Sequence, residues 1–270
     1  MESIPIRNPF PGAVSLVVAS TESTQAAAKR LAENRFLPGQ GFPPGSLIAA
    51  EAQTAGRGRF PERRWESEAG KNLLFTLFLD SVVLRLPEGK PLPGLPIRIG
   101  SALCEAVAIY TPAPRLKWPN DLMIGDRKAA GILCESGPSG VFAGIGLNCN
   151  QVVFPSGLDA KATSLARELG REVNRWALLE LFLEALASSL VDANWRRRAD
   201  AWLWMKGETL CFLPGLEGSA EGGEALIGKF EGIDEEGSIL LREEGAAVAR
   251  AYASGELRAG NSVDRRPPIL

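Results

Sequence analysis

The chain has 270 residues, 45% hydrophobic and 23% charged, with 30 basic against 32 acidic side chains and a formal net charge of -2. That length holds one large domain, or a large one and a small one, and the composition is that of a folded globular protein. The near-balanced charge excludes a protein that coats nucleic acid by bulk electrostatics, and the absence of histidine excludes Ser-His-Asp and Cys-His machinery and His-based zinc sites.

In chain order, Ala13–Ser20 (AVSLVVAS) is a β-branched run and reads as a buried strand. Glu22-Ser23-Thr24-Gln25 and then AAAKRLAEN follow, a hydroxyl N-cap before helix formers. Residues 35–46 are a Pro/Gly-rich loop. Ser46–Gln53 and Asn72–Leu79 read as strands that bracket an arginine-rich loop, which the sequence places at a sheet edge. Ile97–Ile109 is helical. Leu116–Trp118 is a short strand running into the Pro119-Asn120-Asp121 turn. Leu122–Ile124 and Ala130–Glu135 form a hairpin about Gly125-Asp126, and Val141–Asn148 is a further strand. Leu179, Phe182, Leu183, Leu186 and Leu190 recur at helical spacing, predicting one long helical region from Trp176 to about Met205. Beyond it, Thr209–Leu213, Ala225–Ile233, Ser238–Arg242 and Ala247–Ala253 are short strands of a small β-barrel. The division is therefore 1–205, 206–262 and a tail at 263–270.

Cys104, Cys134, Cys149 and Cys211 have apolar neighbours and no C-x-x-C spacing, so they read as reduced core residues. The N-terminus lacks the basic segment and long apolar run of a signal peptide, and no apolar stretch approaches the ~20 residues of a membrane span. The expectation is a cytoplasmic protein without a membrane partner.

Several segments carry candidate chemistry, each with a plain structural alternative. The stretch GRGRFPERRW, Gly56–Trp65, alternates glycine with arginine. Glycines let a backbone approach phosphate, and arginine forks match its oxygens; the alternative is a solvated loop anchored by Trp65. Lys117-Trp118-Pro119-Asn120-Asp121 brings a cation, an amide and a metal-capable carboxylate together, or is simply a tight turn. Lys128 opens a strand beside the small residues Ala129, Ala130 and Gly131, where a cation can stabilise charge developing on an anion, or is an ordinary surface lysine. Gly144-Ile145-Gly146-Leu147-Asn148 is an incomplete dinucleotide fingerprint that suggests a backbone bordering a pocket, and no P-loop is present. Without histidine, the chemistry must run on Lys, Arg, Asp, Glu, backbone amides and a hard metal.

Read together, ESTQ, QTAGRGR…W, KWPND, K-x-x-GIL-x-E and GIGLNCN resemble the biotin protein ligase family. The resemblance spans roughly residues 14 to 166. It implies an α+β fold: a mixed, largely antiparallel sheet with helices, of the class II synthetase and biotin ligase type, followed by a small C-terminal SH3-like β-barrel. It implies an enzyme that makes biotinyl-5′-AMP from biotin and ATP with Mg2+. The enzyme then passes biotin to one lysine of a biotin carboxyl carrier protein or domain. Carried over by motif, Arg57 and Arg59 hold phosphates and close the loop, and Lys128 bridges the biotin carboxylate and the α-phosphate. Ser23, Thr24 and Gln53 bind the ureido end of biotin, with Gly56 and Gly131 bordering it. Trp65 packs near adenine, Arg63, Lys117, Asn120 and Asn148 lie close to the nucleotide, and Asp121 faces Mg2+.

Three departures from the family pattern stand out. The interval before Trp65 is one residue longer than in G-R-G-R-x-G-R-x-W, with Pro61-Glu62 where Gly is usual, so that Arg63 takes the third arginine's place or Arg64 does. Gln25 replaces the usual Asn of S-T-N, and Ala130 stands where some members have Gly. The helix-turn-helix domain of some members has no room before the first strand, so operator DNA is not an expected partner; a homodimer is left open. Three other readings compete: a lipoate or octanoate ligase or transferase; a nucleic-acid module using GRGRFPERRW and Trp195-Arg196-Arg197-Arg198, the latter cluster being more simply a solvated helix face; and an inactive paralogue that stores biotin or its adenylate.

Overall fold

A computed structural model describes residues 5–33, 42–59, 63–81, 83–84, 92–215 and 224–258. The predicted tail at 263–270 and the Phe60-Pro61-Glu62 segment of the arginine loop lie outside the described residues.

The first seven strands make one sheet. They are β1 (Ser15–Thr21), β2 (Leu47–Gln53), β3 (Leu73–Leu79), β4 (Pro114–Lys117), β5 (Asp121–Ile124), β6 (Arg127–Gly137) and β7 (Gly140–Leu147), in the order β1-β2-β3-β7-β6-β5-β4. β1 and β2 pair parallel through helix α1 (Thr24–Glu33), and all the other pairs are antiparallel. The mixed, largely antiparallel sheet is thus as predicted. The arginine loop is placed differently: β2 and β3 are interior strands, because the α1 crossover lays β1 along the outer side of β2. The loop therefore leaves the end of the sheet rather than its edge.

Every residue of β3 is buried, because helices cover both sheet faces. On one face Leu73, Phe75, Leu77 and Leu79 join a core with α2 (Leu95–Ala108) and α4 (Arg175–Val191), where Phe75 meets Phe182 edge to face at 5.6 Å. On the other, α1 presents Ala27, Ala28 and Ala32 to Phe78 and Phe142, whose rings stack at 5.1 Å. The alanines let this helix lie close on the sheet. Alternation then sorts β7: Ala143, Ile145 and Leu147 go to the α2/α4 core, while Phe142, Gly144 and Gly146 fall on the α1 face. Past Phe142 that face carries no side chain from β7, which leaves a cleft.

The predicted single helical region from Trp176 to about Met205 is two helices, α4 and α5 (Trp195–Asp200). The break is at Asp192, whose backbone is extended and whose carboxylate accepts from Asn194 N, a local bond that ends the helix. A short α3 (Leu165–Leu169), capped by Ser164, was not anticipated. The remaining strands are β8 (Thr209–Pro214), β9 (Leu226–Ile233), β10 (Ile239–Glu243), β11 (Arg250–Tyr252) and β12 (Gly255–Arg258). They form an antiparallel sheet ordered β11-β10-β9-β8-β12, consistent with an SH3-like unit. Its fifth strand, β12, is additional to those read from the sequence.

The two sheets share one core. Residues Trp202 to Trp204 lie along the free side of β4, with Leu116 N donating to Trp202 O and Trp204 N to Leu116 O. Trp118 is 2% exposed; its indole N–H donates to Gly237 O at 2.9 Å and its ring lies 6.1 Å from Phe212. The tryptophan of KWPND is therefore the peg between the two sheets.

All four cysteines are free thiols, with Cys104, Cys149 and Cys211 buried. Burial pushes the Cys134 and Cys149 thiols up to about 12 and raises Cys104 further. Two of the three arginines of the Trp195 segment are paired within the fold. Arg198 forks onto Glu105 at 2.8 and 2.9 Å and reaches Asp192, and Arg196 pairs with Glu235. Among the described residues, no helix is long and apolar enough to cross a membrane.

Candidate active site

The cleft is open at its mouth. Its floor is glycine: Gly144 and Gly146 of β7, with Gly131 of β6 paired to Gly146. Two side chains stand over this floor. A Cβ on Gly146 would meet the indole of Trp65, and a Cβ on Gly144 would lie 3.1 Å from Gln25 Cδ. The glycines are needed because other groups occupy the volume a side chain would take.

Lys128 owes its direction to a bulge. Asp121 pairs with Gly131 and Leu122 with Ala130, but Met123 pairs with Lys128, so Ala129 is an extra residue in β6. Strict alternation from Gly131 would turn Lys128 to the α2/α4 core; the extra residue returns it to the cleft face. Ala129 and Ala130 both enter the core, fully buried. Lys128 Nζ then sits 2.7 Å from Asp121 Oδ1 and 5.7 Å from the Trp65 ring centre. The Asp121 contact is an ion pair too oblique to be a hydrogen bond, leaving that buried oxygen without a well-directed donor.

Asn148 secures the bulge from behind. Its N–H donates to Ala129 O and its Nδ2 to Thr163 O, while Thr163 N donates to Lys128 O and Lys128 N to Lys161 O. Expected near the nucleotide, Asn148 is buried and outside the cleft lining. Asn120 does line the cleft, its side chain tied to Ile132 O.

At the other end, Gln53 Oε1 accepts from Thr24 N at 2.7 Å and Thr24 Oγ1 at 3.1 Å, and Thr24 Oγ1 accepts from Thr76. Those bonds occupy the amide oxygen of Gln53. Ser23 caps this corner as α1 begins, its carbonyl accepting from Ala27 N.

The arginine loop is a narrow ribbon. Arg57 bridges Arg64, Gly58 N donates to Arg63 O, and Trp65 N donates to Gly56 O. At Gly56 a Cβ would crowd Trp65 O, so glycine is required. Arg57 and Arg59 line the cleft mouth. Arg59 also donates to Gly255 O at 2.9 Å, and Arg63 reaches Glu256 at 3.5 Å. Both acceptors belong to β12, the strand absent from the sequence reading; a short stretch after a Ser-Gly turn gave too little alternation to reveal it. Lys117, half-buried with its ammonium 5.5 Å from the Trp204 ring centre, borders this junction. Burial lowers its pKa, opposed by Asp121 and Glu256 and assisted by Lys128 and Arg63.

Ser23, Thr24, Gln53, Arg57, Arg59, Trp65, Asn120, Lys128 and Gly131 thus share one cleft. Asp121 touches it through Lys128, and Gly56, Arg63, Lys117 and Asn148 stand around it. Gln25, Gly144 and Gly146 also line it without having been assigned a ligand role.

This combination of sheet, arginine ribbon and glycine-floored cleft is that of a ligase that activates a carboxylate with a nucleotide. Residues 17–151 match the model of the biotin/lipoate A/B protein ligase family. The chain is 33% identical to the biotin–[acetyl-CoA-carboxylase] ligase of Paracoccus denitrificans, over 84% of this chain and 93% of that one. It is 31% identical to the bifunctional ligase/repressor BirA of Bacillus subtilis, over 86% and 70%. The biotin protein ligase of Aquifex aeolicus, solved with biotin and ATP, superposes with a TM-score of 0.75 at 25% identity, covering 91% and 97% of the two chains. The chain belongs to the biotin/lipoate A/B protein ligase family, among its ATP-dependent biotin protein ligases.

Proposed function

We propose that the cleft binds biotin with its ureido ring among Ser23, Thr24 and Gln53 and its carboxylate beside Lys128. Arg57, Arg59 and Arg63 then hold the phosphates of ATP. The observation that carries this reading is the convergence of Lys128, Arg57 and Arg59 on one cleft whose opposite end is lined by hydroxyl and amide groups. A biotin carboxylate oxygen attacks the α-phosphorus, the bond from that phosphorus to the bridging oxygen breaks, and pyrophosphate leaves with the electron pair. Both reactants are anions, so the barrier is lowered chiefly by cations fixed where they meet. Lys128 serves there once the incoming anions compete with Asp121 for its ammonium. In the second step the amine of one carrier lysine attacks the acyl carbon and AMP departs. The carrier is a biotin carboxyl carrier protein or domain, as the names of the relatives suggest. Trp65 and the ribbon keep water from the acyl-adenylate.

Asp121 suits a Mg2+ ion that arrives on the triphosphate, since Mg2+ takes one or two carboxylates with substrate oxygens and one Asp121 oxygen lacks a well-directed donor. Bound there, the ion would neutralise phosphate charge. Among the described residues, no group of three or more Cys, Asp or Glu side chains offers a cage of its own. We take 1–205 as the catalytic unit and 206–262 as the SH3-like unit. The free thiols suit a cytoplasmic setting.

The test is exchange of labelled pyrophosphate into ATP, without carrier, with biotin or lipoate. Exchange with biotin alone is expected, and Lys128→Ala, still folded, should abolish it. Equal exchange with lipoate would overturn the biotin reading.

A further inference from the structure

Gln25 is the departure from the family pattern that the proposed function leaves without a role. It lies in the first turn of α1, is 8% exposed, and lines the cleft above Gly144. Its Nε2 donates to Leu133 O at 3.1 Å, Phe142 O at 3.2 Å and Glu135 Oε2 at 3.2 Å. Lys29, one turn further along α1, holds the same Glu135 oxygen at 2.8 Å. Three acceptors around one end of the amide fix its orientation, because a flipped Gln25 would set its oxygen against two carbonyls and a carboxylate. Its Oε1 is therefore turned away from them, and it is buried without a hydrogen-bond donor. A buried acceptor with no donor is costly, and native proteins rarely keep one without a use.

We propose that Gln25 is a specificity-determining residue whose Oε1 accepts a hydrogen bond from an N–H of the ligand's head group. A cyclic urea supplies such a donor on either side of its carbonyl, and the dithiolane or plain alkyl head of another acyl substrate does not. The inference rests on the proposed biotin reading and deepens it. Gln53 Oε1 is occupied by Thr24, whereas Gln25 Oε1 has no donor and can accept a ureido N–H beside the Ser23 hydroxyl. A ligand without an N–H leaves that oxygen unsatisfied, which is how a polar pocket rejects an analogue lacking the group it was built to bind.

The test compares biotin with biotin methylated on one or the other ureido nitrogen, titrated calorimetrically into wild type and Gln25→Met. Biotin binding should weaken about tenfold in the variant, and one of the methylated ligands should lose less affinity in the variant than in wild type. Unchanged biotin affinity in Gln25→Met, or equal losses for every ligand, would overturn the proposal. If the variant does not fold, a crystal structure of the wild-type biotin complex decides. A ureido nitrogen within about 3.2 Å of Gln25 Oε1 supports the proposal, and an Oε1 bonded only to water overturns it. A wild type that binds no biotin and shows no exchange would instead sink the biotin reading itself.

Discussion

Gly146→Ala offers a sharp test of the cleft, because its effect should change sign with the identity of one other residue. The backbone at Gly146 is not in the left-handed region, so alanine is conformationally allowed. In an empty strand position the substitution would stabilise by about 0.5–1 kcal/mol through lost unfolded-state freedom. Here the new Cβ would lie 2.8 Å from both Cζ2 and Nε1 of Trp65, and closer still to Cε2. Ordinary carbon contacts are about 3.5–4.0 Å, so several indole atoms are short by roughly 1 Å. β7 cannot retreat, since Gly146 is paired to Leu74 on one side and Gly131 on the other. Trp65 must move, at a cost of about 1–3 kcal/mol by analogy with overpacked cores. Urea unfolding should show Gly146→Ala destabilised in wild type but neutral or stabilised in a Trp65→Ala background. The coupling would be about 1.5–4 kcal/mol, the sum of the two opposed effects. Additive effects of the two substitutions would mean that Trp65 does not rest on Gly146.

Three further outcomes are expected. Lys117→Met should raise stability at pH 7, because wild type carries a desolvated ammonium whose pKa burial holds below 10.5. As pH rises from the folded toward the unfolded pKa, wild type loses that penalty, so the difference seen by urea unfolding should shrink toward pH 10.5; a constant gap would refute it. Trp118→Phe leaves Gly237 O without its buried donor and should cost about 1–3 kcal/mol in thermal unfolding; an unchanged midpoint would deny the peg between the sheets. With thiols pushed up to about 12 at Cys134 and Cys149, the native protein at pH 8 should resist iodoacetamide at both. Mass spectrometry should find them alkylated only after denaturation, and rapid native labelling would contradict the raised thiol pKa values.

Strands such as Leu73–Leu79 were legible because two-sided burial demands a continuous apolar run, and the Gly125-Asp126 hairpin because turn chemistry is local. The residues of the cleft were legible mainly as motifs, since their meeting depends on strand order. What alternation could not give was the aim of Lys128, because a bulge is a matter of pairing and leaves no mark in composition. Trp118 read as the end of a short strand, but its partner Gly237 is 119 positions away. The long helix failed at Asp192 because apolar spacing persists across a break made by side-chain hydrogen bonds. Gln25 read only as a replacement for the usual Asn; the three acceptors around its amide show which way its oxygen must face.

The extra residue at Ala129 has a consequence for how this chain tolerates change. Substitutions along β6 alter one contact each, whereas losing a single residue there would exchange inside for outside at Lys128. The ammonium would be delivered into the packed layer of Leu122, Ile132 and Leu147 while the composition stayed almost untouched. The placement of Lys128 is thus encoded partly as a count. In this strand a one-codon deletion should be more damaging than most replacements, and restoring one residue of almost any small kind should repair it.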